Sequence, residues 1–75
     1  MNEISRIWEV ASYEEGVLTK VRHSSRRTRS EVVAQISRQC PGVAPSVELT
    51  TRGRATQLTV TTFQKGTLSI VIRAA

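Results

Sequence analysis

The sequence predicts an α+β domain in which one amphipathic helix packs on one face of an antiparallel sheet of about five strands, in the order ββαβββ. Three observations predict it. Residues 47–73 alternate apolar and polar positions and are broken by Arg52-Gly53-Arg54 and by Lys65-Gly66, which is the pattern of strands joined by tight turns. Thr28-Arg29-Ser30-Glu31 is a capping-box signature, and it opens a run whose apolar residues recur at helical spacing. Two further β-prone stretches flank Glu14-Glu15-Gly16, as in a hairpin.

The first element is ambiguous. Ile4, Ile7, Trp8 and Ala11 fall at i, i+3, i+4 and i+7, which suits a helix. The residue types in 4–13 (Ile, Trp, Val, Tyr) suit a strand. The strand is preferred because Val17–Arg22 reads as its hairpin partner across a three-residue, Gly-containing loop; the order αβαβββ stays open. Residues 23–29 contain no apolar side chain and read as a linker. The helix follows, with Val32, Val33, Ile36 and Cys40 along one face, and Pro41-Gly42 stops it.

In the C-terminal block, Leu58, Val60 and Thr62 alternate with Thr59, Thr61 and Phe63, and Leu68, Ile70 and Ile72 alternate with Ser69, Val71 and Arg73. The expected core is Trp8, Val10, Leu18 or Val21, Val33, Ile36, Cys40, Leu49, Leu58, Val60, Leu68, Ile70 and Ile72. Thr50, Thr59 and Thr61, with Phe63 and Val71, are expected on the opposite face, open to solvent or to a flat interface. The last strand, 67–73, is expected at a sheet edge, where a second copy can pair and form a homodimer.

A chain of 75 residues fits one domain, 1–75. A domain this small buries only about 60% of its unfolded surface, so its core is thin. External staples are not available to it. One cysteine, Cys40, makes no intramolecular disulfide, and one Cys with one His makes no four-ligand zinc site. Stability then comes from packing, from oligomerisation or from a partner. A lone cysteine suits a reducing compartment, no apolar run approaches the ~20 residues of a membrane span, and Met1-Asn2-Glu3 leads into no apolar signal region. The expectation is a cytoplasmic protein without membrane contact.

Charge is unevenly spread. The net charge is +5, with −3 on residues 1–19, +6 on 20–54 and +2 on 55–75. Nine of the eleven basic residues are arginine, whose planar fork matches phosphate and carboxylate. The densest run is Lys20, Arg22, Arg26, Arg27 and Arg29, with His23 among them. It leads into a helix N-terminus, where amides and the helix dipole favour anions, and Ser24, Ser25 and Thr28 add hydroxyl donors. Arg52 and Arg54 flank Gly53 at an expected hairpin tip. These seven basic residues are the candidate binding set, although charged loops also serve solubility alone.

No catalytic arrangement is visible. His23 has no neighbour in sequence to orient it as a base, Cys40 falls on the apolar face of the helix as a small hydrophobe, and paired carboxylates, Gly-rich phosphate loops and nucleophile elbows are missing. Neither a cofactor nor a metal is expected. Trp8, Tyr13 and Phe63 are the only aromatics, too few for a base-stacking platform, so contact with nucleic acid is expected to go to phosphates. The expected function is a non-catalytic, basic nucleic-acid-binding module. The alternative is a small inhibitor or adaptor that docks on an acidic surface of a nucleic-acid-processing complex, in the manner of phage anti-defence or anti-CRISPR proteins. The element order occurs among small phage-encoded inhibitors and nucleic-acid-associated domains, which is analogy of fold alone.

Overall fold

A computed structural model describes residues 4–52 and 56–75, with side chains at all of these except 47–59. The elements are β1 (Trp8–Glu14), β2 (Val17–His23), α1 (Arg29–Gln39), β3 (Ser46–Arg52), β4 (Thr56–Lys65) and β5 (Leu68–Ala74). Among the described residues the strands form one sheet, ordered β2-β1-β5-β4-β3, and each neighbouring pair is antiparallel. The class is the one the sequence implies: α+β, with one helix on an antiparallel sheet.

β1 begins at Trp8 rather than Ile4, and the residues it buries are Trp8, Val10 and Ala11. That set does not follow the helical spacing of Ile4, Ile7, Trp8 and Ala11. β1 is paired on both sides, with Val10 opposite Arg22 of β2 and Ile72 of β5. The β1–β2 loop is one residue shorter than expected. Glu14 pairs with Val17, leaving Glu15 and Gly16 as a two-residue turn with φ of 51° and 79°. Two positive φ values in succession are the mark of a type I′ turn, which matches the twist of a hairpin. The β1–β2 register shifts between Ser12 and Tyr13.

β5 is not an edge. It lies between β1 and β4, and the edges are β2 and β3. The reason is visible in its composition. Ile70 and Ile72 are buried on the helix side, while Val71 is half-buried on the other, so the strand is apolar on both faces and gains most in the middle.

The phase of β4 is also the reverse of the expected one. Thr61 and Phe63 are each 1% exposed, and Val60 and Thr62 are half-buried on the open face. Phe63 pairs with Ile70 and Thr61 with Ile72, which places both among the core side chains. Burying a phenyl ring outweighs burying a valine. The hydroxyl of buried Thr61 is satisfied, because Arg29 Nε donates to its Oγ1 at 3.0 Å. Phe63 and Val71 are therefore not cross-strand neighbours on an exposed patch; Val71 pairs with Thr62.

The core is Trp8, Val10, Val32, Ile36, Phe63, Ile70 and Ile72, with Val33, Cys40, Val43, Leu68 and Ala74 packed against it. Leu18 and Val21, one of which was expected inside, are 51% and 45% exposed on edge strand β2. They pair with Tyr13 and Ala11, in the phase opposite to Trp8 and Val10, so they face away from the helix-side core, and β2 is exposed along nearly its whole length. The side chains of Leu49 and Leu58 lie outside the described ones. The capping box of α1 is present: Thr28 Oγ1 accepts from the Glu31 amide at 3.2 Å, and the Thr28 amide donates to Glu31 Oε1 at 2.8 Å.

Candidate anion-binding surface

The antiparallel register sorts charge between the two ends of the sheet. One end carries the two hairpin turns, with Glu14 and Glu15 at the first and Lys65 beside the second. The other end carries His23, the loop 24–28, the start of α1 and the end of β5. Loop 24–28 is not a free linker. Trp8 anchors it three times: the Ser24 amide donates to Trp8 O (2.9 Å), the Trp8 amide donates to Ser24 Oγ (3.0 Å), and Trp8 Nε1 donates to Arg27 O (2.8 Å). Trp8 is 5% exposed, so the loop is tied to the edge of the core.

This stitching gathers arginines. Arg6 and Arg27 form an isolated antiparallel bridge and exchange both backbone hydrogen bonds, at 2.9 and 3.0 Å. Residues so paired carry their side chains on the same side, about 5 Å apart at Cβ. The Arg6 guanidinium lies 5.8 Å from the centroid of the Trp8 ring. Arg26 Nη1 donates to Ser5 O and Arg27 Nη1 to Arg26 O, each at 3.2 Å. Arg6, Arg26 and Arg27 are all exposed.

The other candidate residues are placed as follows. Lys20 and Arg22 lie on β2, opposite Ser12 and Val10, with Arg22 half-buried toward the same end as the loop. Arg29 leaves the group: it is half-buried and donates to Thr61. Arg52 ends β3, the opposite edge, so three strands separate it from Lys20 and Arg22, a span of roughly 19 Å at the usual strand spacing. The β3–β4 pairing continues past the last β4–β5 pair, Val60 with Arg73, as far as Arg52 with Thr56. The backbone of Arg52 thus extends from the same end as the loop, at the far side. The side chain of Arg52 and all of Arg54 lie outside the described residues.

Sequence reasoning missed Arg6, which it counted within an acidic N-terminal stretch. The signal was its spacing: two residues before Trp8 in extended chain, it falls on the tryptophan's side of the backbone.

Counter-charges are scarce here. Among the described residues the one salt bridge is Arg73 Nε to Glu9 Oε1, 3.1 Å, across β5 and β1. Glu14 accepts from the Thr67 hydroxyl at the turn end. Glu31 is the carboxylate nearest Arg26 and Arg27 in the chain, and its pKa is lowered, first by the Thr28 amide, then by the Thr28 hydroxyl, with a lesser part from the charge of Arg27. The helix N-terminus is therefore not the open anion site that the sequence suggested, because its own capping box uses the Glu31 amide and supplies a carboxylate.

Among the described residues no group of three His, Cys, Asp or Glu could hold a metal ion, and no helix is long and apolar enough to cross a membrane. The chain matches no protein-family model, no curated protein and no solved structure.

Proposed function

We propose that the protein is a non-catalytic binding module of ββαβββ order that holds nucleic-acid phosphates on the arginine-bearing end of its sheet. The observation that carries this is the gathering of Arg26 and Arg27 on one anchored loop with Arg6 bridged to it, with Arg22 at the adjoining strand end and no ion pair to any of them among the described residues. Like charges placed directly opposite one another are unfavourable without a counter-ion, and a phosphate backbone supplies counter-charge at regular spacing. Trp8 and Phe63 are buried, which leaves half-buried Tyr13 alone for stacking on bases and favours contact without sequence readout.

The test is fluorescence anisotropy of a labelled duplex over a salt series. With about five phosphates contacted, log affinity falls against log salt with a slope of roughly −4 to −5. Absence of binding at about 50 mM salt, or binding indifferent to salt, overturns the proposal.

A second function is favoured by a separate observation. Leu18 and Val21 are exposed beside the open face of the sheet, and contiguous apolar surface next to charge marks protein-interaction sites. A small inhibitor or adaptor docking on an acidic protein surface uses both features. An acidic partner retained after nuclease treatment separates this function from the first.

A further inference from the structure

We infer that Arg6 and Arg27 are the two arms of a clamp for a single phosphate group, with Arg26 as a third donor beside it. The inference rests on the surface proposed above and assigns to it a residue, Arg6, and a ligand unit, one tetrahedral phosphate.

The geometry begins in the backbone. Because Arg6 and Arg27 exchange both amide–carbonyl bonds, their Cα atoms face each other and their side chains leave on one side. The Arg27 carbonyl accepts from two donors, the Arg6 amide and Trp8 Nε1, so both of its lone pairs are engaged and the bridge is fixed against the core. Each guanidinium is then steered by a contact that leaves most of its donors unused. Arg6 stands over the Trp8 ring, Arg27 spends one Nη1 donor on Arg26 O, and Arg26 spends one on Ser5 O. A guanidinium carries five N–H donors, so several remain on each arm.

Two arginine side chains that leave paired positions on one side, about 5 Å apart at Cβ, can bring their forks to the oxygens of one phosphate, which accept parallel N–H donors from each. Among the described residues no carboxylate forms a salt bridge with Arg6, Arg26 or Arg27. Glu31 already accepts from the Thr28 amide, and Glu9 and Glu14 are engaged with Arg73 and Thr67.

The experiment is a titration of the full chain with inorganic phosphate at constant ionic strength, followed by the arginine Nε–H and tryptophan indole resonances in NMR. Saturable shifts at Arg6 and Arg27, accompanied by the Trp8 indole proton that reports on Arg27 O, support the clamp. Arg6→Gln and Arg27→Gln each weaken phosphate binding about tenfold or more, as expected for loss of a charge-assisted bond, and Arg38→Gln leaves it unchanged. An unshifted Trp8 indole in each variant without phosphate shows that the loop is still docked. Shifts that never saturate, or that are equal at Arg38, overturn the clamp. Duplex binding retained by Arg6→Gln and Arg27→Gln at full strength also overturns it while sparing the proposed function. Saturable phosphate binding without duplex binding supports the clamp and removes the nucleic-acid reading.

Discussion

The two ends of the sheet solve the problem of reversing the chain in opposite ways. At one end β1 passes to β2 through Glu15 and Gly16, a turn set by local dihedral angles, and Glu14 finds a neutral neighbour in Thr67. At the other end β2 passes to the helix through residues 24–28, whose path is set by a tryptophan from a different strand. The first end is determined by what the residues at the turn prefer. The second is determined by what the core holds in place, and it keeps arginines together that would separate in a free loop.

The sharpest way to break this contrast is at Trp8. Trp8→Ala removes a buried ring together with the loop's one side-chain anchor, leaving the two backbone bonds to Ser24, and should lower unfolding free energy in urea by about 3–5 kcal/mol. Trp8→Phe keeps a buried ring but deletes the Nε1 bond to Arg27 O and part of the packing, so its loss should be smaller, about 1–2 kcal/mol. If the two variants are equally damaging, the loop is not held by packing in the way described.

The turn end should respond in the other direction. Glu15 has φ of 51°, where a non-glycine side chain is strained. Glu15→Gly should raise stability by about 0.5–1 kcal/mol, read as an increased denaturant midpoint, and should leave the arginine end untouched.

The smallest effect is at the junction of loop and helix. The folded pKa of Glu31 is lowered from 4.5. A group whose folded pKa is depressed contributes stability that is fully present above its unfolded pKa and is lost as pH falls through the folded value. The stability difference between wild type and Glu31→Gln should therefore be constant above about pH 5 and shrink as pH falls below the usual carboxylate range, as followed by urea unfolding at each pH.

How much of this could be read from the chain depended on how local each determinant is. The capping box was legible because Thr28 and Glu31 lie within one helical turn of each other. The inward face of β4 was not. Leu58 and Val60 share one phase with Thr62, and Phe63 alone is apolar on the other with Thr59 and Thr61, so alternation favours the Val60 phase. The size of Phe63, and Arg29, which comes from the helix to satisfy Thr61, outweigh that count. The position of β5 was hidden for a related reason, since strand order depends on pairing between distant segments. The basic run was legible as composition. That Arg6 joins it, and that Arg29 leaves it for the core, depended on contacts across 21 and 32 positions of sequence, Arg6 with Arg27 and Arg29 with Thr61.

Placing β5 between β1 and β4 makes the two halves of the chain mutually dependent. Trp8, Val10, Val32 and Ile36 come from before residue 40, and Phe63, Ile70 and Ile72 from after it, so neither half encloses an interior alone. The seam between Val10 and Ile72 closes the longest loop in the sheet and completes the core in the same step. Such a molecule has little to gain from being partly assembled, and its unfolding is expected to be all-or-none.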